Sequence, residues 1–199
     1  MISISNLSLS RGERVLFRDL SFAVAPGEAV ALTGGNGTGK TSLLRAISGF
    51  IRPDAGQVIF GDQDPAEARA HGLHMLGHLE GLKGGRTARV ELDFQAAWLG
   101  ADTDGIARAV SALSLAPLLD LEVRKLSAGQ RRRLALARLI AAPRPLWLLD
   151  EPLSPLDARW RAAVGGMMQQ HLDGGGAIIA AVHDPLPIAA RSLDLGGLA

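Results

Sequence analysis

The stretch GGNGTGKT, residues 34–41, places a lysine and a threonine directly after a run of glycines, in a chain with only three lysines. It fits the pattern G-x-x-x-x-G-K-[ST], with Gly34, Gly39, Lys40 and Thr41 at the fixed positions. Residues without a Cβ let the backbone curl, so that several N–H groups converge on phosphate oxygens. The Lys40 ammonium can reach the β- and γ-phosphates, and the Thr41 hydroxyl can bind Mg²⁺. The sequence therefore predicts a loop that binds a nucleoside triphosphate together with Mg²⁺.

The segments on both sides of this loop fit that function. "EAVALTG" before it is typical of a short buried strand, and "KTSLLRAISG" after it places Leu43, Leu44 and Ile47 on one helical face. The positive end of the helix dipole then adds to the attraction for phosphate. The predicted contacts to the phosphates are Gly34, Gly35, Asn36, Gly37, Thr38, Gly39, Lys40, Thr41 and Ser42.

A second constellation follows the apolar stretch "PLWLLDEP", residues 145–152. It predicts a buried strand that ends in two carboxylates, Asp150 and Glu151. Asp150 at the carboxyl end of a neighbouring strand would bind Mg²⁺ opposite Thr41, and Glu151 would polarise the attacking water. The alternative is that the two acids only mark the point where the chain reaches solvent. Because a phosphate-binding loop is already present, the catalytic interpretation is favoured.

The order of elements indicates an α/β fold. Residues 1–60 are typical of short strands joined by turns, residues 64–125 of helices and loops, and from residue 128 helices alternate with apolar strands. This alternation predicts a parallel α/β core. We expect one domain over residues 1–199: a P-loop NTPase core, an N-terminal antiparallel β subdomain and a helical subdomain inserted at about residues 79–140.

Composition narrows the function classes. The formal net charge of +1 argues against a general attraction to nucleic acid or anionic lipid, and the lack of cysteine excludes disulfides and thiolate metal sites. The N-terminal sequence lacks the pattern of a signal peptide, and no stretch approaches the roughly 20 apolar residues that span a bilayer. We therefore expect any membrane role to be peripheral.

The segment "LSAGQRRRLALAR", residues 126–138, has a simple interpretation: Ser127 caps a helix and residues 131–133 form a solvated basic face. An isolated arginine run without aromatic neighbours is a weak indication of nucleic-acid binding. "LSAGQ" also resembles the LSGGQ signature of ATP-binding-cassette (ABC) ATPases, with Ala128 where glycine is usual. "SPLD" at residues 154–157 resembles the D-loop of that family, and His183 in "AAVHDP" resembles its switch histidine. The ordered motifs extend this resemblance over essentially the whole chain.

The resemblance implies a head-to-tail homodimer that encloses two ATP molecules. One subunit would contribute Lys40, Thr41, Asp150 and Glu151 to each nucleotide, with His183 against the γ-phosphate. The opposite subunit would contribute the signature residues Ser127, Ala128, Gly129 and Gln130, while Asp157 belongs to the D-loop.

Two positions depart from the family pattern. Arg11 stands where an aromatic side chain usually stacks on adenine, and its guanidinium plane can take that role. His78 stands at the Q-loop position, where a glutamine normally contacts the metal and the membrane partner; a neutral histidine can accept a hydrogen bond or ligate a cation.

The stretch "GHLEGLKGGRTARVEL" resembles the ATPase subunit of the haem exporter used in cytochrome c biogenesis. That resemblance implies integral membrane subunits as partners and a peripheral position on the cytoplasmic face of the bacterial inner membrane. No nucleic-acid partner and no direct haem binding are expected, and we interpret His71, His74 and His78 as surface, strand and Q-loop residues. The identification of haem as the transported substrate comes from this resemblance alone.

Other functions are compatible with part of the sequence. The chain could serve another small-substrate or lipid exporter, or act as a soluble ABC ATPase on nucleic acid or the ribosome. A soluble ABC ATPase usually has long coiled coils or two cassettes, which are absent here. A P-loop kinase has no use for "LSAGQ", and a scaffold without hydrolysis has no use for Lys40, Asp150, Glu151 and His183 together.

Overall fold

The computed structural model describes residues 2–196. In that range the chain forms eight strands: β1 Ile2–Arg11, β2 Arg14–Val24, β3 Ala29–Thr33, β4 Ala55–Ile59, β5 Leu73–Leu76, β6 Leu146–Asp150, β7 Ala177–Ala181 and β8 Arg191–Asp194. The α-helices in the same range are α1 Lys40–Ile47, α2 Pro65–His71, α3 Ala88–Leu99, α4 Thr103–Ala112, α5 Ala128–Ala141 and α6 Ala158–Asp173. Two short 3-10 turns, Ala116–Leu118 and Val123–Lys125, precede α5.

A five-stranded parallel sheet in the order β5-β6-β7-β3-β8 forms the centre of the chain. Strands β3, β6 and β7 are apolar on both faces because helices or a second sheet cover each side. Along β6, Trp147 and Leu149 join one apolar core, whereas Leu146 and Leu148 join the other. The predicted parallel α/β core is confirmed. It brings the carboxyl ends of β3 and β6 to one edge of the sheet.

The N-terminal strands form a separate three-stranded antiparallel sheet in the order β2-β1-β4. This sheet packs on α1 through one core that includes Phe17 and Leu9 from the strands and Leu43 from the helix. The predicted antiparallel β region is therefore confirmed. Its hairpin ends with Arg11 opposite Arg14.

Helices α3, α4 and α5 and the two 3-10 turns occupy most of residues 79–140. They cover the other face of the parallel sheet through a core that contains Leu92, Ala109 and Leu136. The boundaries of an inserted subdomain stay a prediction.

One expectation was wrong: residues 64–125 are not only helical and loop-like, because Leu73–Leu76 forms the edge strand β5. Four residues with a histidine among them carry too little pattern to define the bounds of a strand. The interpretation of His74 as a strand residue is correct. Among residues 2–196, every helix is too short or too polar to cross a bilayer.

Candidate active site

The predicted phosphate loop joins β3 to the first residue of α1. Two of its glycines are required by geometry: Gly34 has a φ of 122° and Gly39, which precedes α1, has a φ of 102°. A Cβ at Gly39 would lie 3.1 Å from the Leu16 Cβ and 3.3 Å from the Phe17 ring, so the loop packs directly on strand β2. The loop therefore presents its backbone to a cavity instead of its side chains.

Lys40 is 8% exposed, and its ammonium donates hydrogen bonds to the carbonyl oxygens of Gly34 at 2.6 Å and Gly35 at 3.1 Å. The side chain thus lies folded along the loop, at the wall of a cavity of about 690 Å³. The residues that line this cavity are Arg11, Arg14, Leu16, Asn36, Gly37, Thr38, Gly39, Lys40, Thr41, Ser42, Arg45, His78, Asp150, Glu151, Ser154 and His183. Gly34 and Gly35 do not line it, and they contact Lys40 instead.

The Thr41 hydroxyl and the Asp150 carboxylate meet at the floor of the cavity. The hydroxyl lies 3.1 Å from Oδ1 and 3.0 Å from Oδ2 of Asp150, whose side chain is buried. A hydroxyl and a carboxylate from two different elements therefore present oxygens to one point, next to the phosphate loop. Oxygen donors of this kind suit Mg²⁺, which usually takes one or two protein ligands and completes its shell with phosphate and water. The residues present fit the ion.

Glu151 follows β6 and faces His183, which follows β7; Glu151 Oε1 lies 3.6 Å from His183 Nε2. Both side chains line the cavity. Glu151 has a φ of 50°, a left-handed conformation that costs a residue with a side chain roughly 1–2 kcal/mol. Such a conformation persists where the surroundings impose it, and it is concentrated at active sites.

Arg132 is a buried group that holds the backbone of residues 150–152. It is 1% exposed, so the expected solvated face at residues 131–133 is wrong at this position. Its guanidinium donates to the carbonyl oxygens of Asp150 at 2.7 Å, Glu151 at 2.6 Å, Pro152 at 3.2 Å and Gly77 at 2.9 Å. Burial lowers the pKa of Arg132, and the nearby carboxylates of Glu80, Asp150 and Glu151 act in the opposite direction.

The two departures from the family pattern, Arg11 and His78, both line the cavity. Arg11 lies directly across the hairpin from Arg14, which lines the same cavity. Like charges opposite each other destabilise a strand pair. Two guanidinium groups at the cavity mouth therefore favour an occupant with negative charge and a flat π face, which a nucleotide has.

The signature residues lie elsewhere. Ser127 caps α5: its hydroxyl accepts from the Gln130 N–H at 3.2 Å, and the Gln130 side chain accepts from the Ser127 N–H at 2.7 Å. The predicted cap is confirmed. Ala128 and Gly129 form the first turn of α5, and Asp157 caps α6 through the Trp160 N–H at 2.9 Å. Among the described residues lining the nucleotide cavity, none belongs to residues 127–130, and Asp157 is also absent.

Four residues that line the cavity were not among the predicted site residues: Arg14, Leu16, Arg45 and Ser154. The position of Arg14 could have been predicted, because a tight turn after Arg11 places residues 11 and 14 opposite each other. Leu16 and Arg45 carry no local pattern that indicates their position, whereas Ser154 begins the segment that resembles the D-loop.

A family model described as ABC transporter matches residues 17–154 of the chain. The chain therefore belongs to the ABC transporter family, and it is an ABC ATPase, as its phosphate loop and ordered motifs predicted.

A more specific likeness is found among sequenced relatives. The cytochrome c biogenesis ATP-binding export protein CcmA of Rhodopseudomonas palustris (strain BisB5) is 46% identical over 198 residues, which cover 100% of this chain and 99% of the relative. Solved structures share the fold at lower identity. An ATP-binding protein of an ABC transporter from Pyrococcus furiosus has a TM-score of 0.85 and 21% identity over 98% of this chain and 96% of that one. The dimeric structure of a bacterial ABC transporter cassette has a TM-score of 0.81 and 22% identity over 98% and 95% of the two chains.

Proposed function

We propose that this chain is the ATP-hydrolysing subunit of a membrane complex that exports or releases haem during cytochrome c biogenesis. The observation that carries the proposal is the convergence of Lys40, Thr41, Asp150, Glu151 and His183 on one cavity. The name of the relative at 46% identity supports the cytochrome c pathway.

In the proposed reaction each side chain has a separate task. The backbone N–H groups of the phosphate loop and the Lys40 ammonium hold the β- and γ-phosphates. Glu151 accepts a hydrogen bond from the attacking water and takes its proton as the bond from the water oxygen to the γ-phosphorus forms. The bond between that phosphorus and the bridging oxygen breaks, and ADP leaves with the bridging oxygen. His183, 3.6 Å from that carboxylate, contacts the γ-phosphate and holds the water in line.

Thr41 and Asp150 would hold Mg²⁺ between the loop and the end of β6. When bound, the ion neutralises charge on the β- and γ-phosphate oxygens. The hydrogen bond between the two side chains keeps both oxygen ligands at the same point before the ion arrives.

The proposed active unit is a homodimer. Residues 127–130 do not reach the nucleotide cavity of their own chain, so a second copy would supply the Ser127 hydroxyl and the N-terminus of α5 to the γ-phosphate. Hydrolysis removes the γ-phosphate that joins the two subunits, which provides the opening step.

A second cavity supports the proposed contact with a membrane subunit. It has a volume of about 350 Å³ and lies beside α3, away from the phosphate loop. The large apolar side chains at its rim are open to solvent: Phe50 is 75%, Phe94 52% and Trp98 83% exposed. A contiguous exposed aromatic patch is typical of an interaction surface.

The charge of this groove indicates the chemistry of its occupant. Arg69, Arg138 and Arg144 line it, and none of its lining residues is acidic among those described. An amphipathic helix that carries apolar anchors and a carboxylate would complement it. We propose that a cytoplasmic segment of a membrane subunit provides this helix, which would place the chain on the cytoplasmic face of the bacterial inner membrane.

Purification of the tagged chain from its native membranes in mild detergent tests the whole proposal. Multi-span cytochrome c maturation subunits should accompany it, and the ATPase activity of the complex should be lost on Glu151→Gln. A different set of membrane subunits would refute the role in haem export while keeping the transporter function. A chain bound only to ribosomes or DNA would contradict both.

A further inference from the structure

We propose that Arg132 is a positioning residue for ATP hydrolysis, which sets the backbone of residues 150–152 so that the Glu151 carboxylate faces the γ-phosphate position. The inference rests on the proposed function of Glu151 as the base. Arg132 does not line the nucleotide cavity, so it acts through the segment that it holds.

Within residues 2–196, the hydrogen bonds of Arg132 all go to backbone carbonyls. Its terminal nitrogen Nη2 donates to Asp150 O and Glu151 O, and Nε donates to Pro152 O, so three consecutive peptide groups are held by one planar group. A guanidinium presents its donors in a rigid fork, which fixes the relative orientation of these carbonyls. The point charge of a lysine lacks that fork.

The held segment is the strained one. Glu151 lies between the other two residues with a φ of 50°, and its N–H donates to Ala181 O at 3.0 Å. The N–H therefore fixes one side of this residue to β7, while Arg132 and the Ser154 N–H, the latter at 3.2 Å, donate to the carbonyl on the other side. Because the Cα–Cβ direction follows from φ and ψ, the aim of the carboxylate depends on both contacts.

Arg132 also contacts the segment that follows β5. Nη1 of Arg132 donates to Gly77 O at 2.9 Å, directly before His78, which lines the nucleotide cavity. Arg132 itself lies on α5, the helix that Ser127 caps. One buried side chain thus connects the signature helix to the ends of β5 and β6. A neutral, apolar substitute would leave four carbonyls without this donor.

The test compares Arg132→Met and Arg132→Lys with the matched control Arg133→Met in the purified membrane complex. Arg133 is the next residue of the same helix; it donates to Leu113 O and Ser114 O and stacks on the Trp160 ring, so these contacts are made outside residues 150–152. For each variant we measure kcat, the Kd for ATP and the thermal unfolding temperature, with kcat expressed per folded molecule.

We expect Arg132→Met to lower kcat by about 10- to 100-fold, since a misplaced reacting group costs a factor of that order. The Kd for ATP should stay within about threefold, because the phosphate loop is untouched, and Arg132→Lys should recover part of the lost rate. Arg133→Met should keep kcat within about twofold despite any loss of thermal stability.

A wild-type kcat in folded Arg132→Met, or an equal loss of kcat in Arg133→Met, would overturn the inference. If the methionine variant does not fold, Arg132→Lys decides: a lowered kcat with unchanged Kd supports the positioning role, and a wild-type kcat refutes it. The proposed function is tested separately by Glu151→Gln in the same preparation. Loss of activity in Glu151→Gln together with full activity in Arg132→Met would reject only the role of Arg132.

Discussion

We expect the free energy of unfolding to depend on pH through His74, a buried histidine on β5. Its Nε2 lies 2.6 Å from Ala142 O, so the neutral ring donates to that carbonyl. Burial lowers the pKa of His74 to about 4; the hydrogen bond to Ala142 acts in the opposite direction, while the charges of Arg144, Arg138 and His171 lower it further. The unfolded chain, with an ordinary histidine pKa, therefore binds a proton as the pH falls below about 6.5, whereas the folded protein does not.

The sign and size of the effect follow from this difference. Protonation favours the unfolded state between the two pKa values, so the free energy of unfolding falls as the pH decreases from 7 to 5. Linkage over that interval gives a loss of about 2 kcal/mol from His74 alone. In His74→Gln the amide can still donate to Ala142 O but does not titrate, so the variant should lack this part of the loss.

Urea unfolding at pH 7, 6 and 5, followed by circular dichroism, measures the effect in both proteins. The other titrating groups are common to the two proteins and cancel in the comparison, apart from the effect of the His171 charge on His74 itself. We expect the difference in free energy between wild type and His74→Gln to change by about 2 kcal/mol over this range. A difference that stays constant from pH 7 to pH 5 would refute the assignment of a neutral, buried His74.

Three further predictions concern binding. Lys40→Ala should weaken ATP binding by roughly 100-fold, about 3 kcal/mol for lost charge-assisted contacts to phosphate; tight binding in calorimetry would contradict the loop assignment. Arg11→Ala should weaken ATP binding by about fivefold, which corresponds to the loss of one exposed cation–π contact, and the control Arg18→Ala on the same sheet should leave the affinity unchanged. Equal ATP affinities of wild type and Arg11→Ala would show that Arg11 does not contact the nucleotide. Trp98→Ala should weaken association with the membrane subunits by about 30-fold, as expected for an interface anchor, and Ile59→Ala serves as the control at another exposed apolar residue. Unchanged co-purification of the membrane subunits with Trp98→Ala would exclude the groove as their binding site.

The parts of the molecule that sequence could predict are those with a local pattern. The phosphate loop needs glycines at fixed spacing and a following helix, and β6 is an apolar run that ends at Asp150, directly before Glu151. The cap of α5 is visible in the same way, since Ser127 and Gln130 form a reciprocal pair over three residues. Each of these features is decided within a few residues of the chain.

The parts that could not be predicted depend on distant contacts. Arg132 stands between two other arginines and has the same composition as a solvated face, yet it is buried because the ends of β5 and β6 converge on it. Strand β5 is four residues long and is a strand only because β6 pairs with it. In both cases the deciding partner lies far away in the chain.

In the proposed mechanism two copies of this chain enclose ATP, with Glu151 as the base. Glu151→Gln mixed with ATP and Mg²⁺, and then examined by light scattering with nucleotide quantification, tests it most directly. We expect a stable dimer that holds two ATP molecules, and a monomer when Ser127→Arg is added to the same chain. A monomer of Glu151→Gln that binds ATP, or wild-type turnover in that variant, would contradict it.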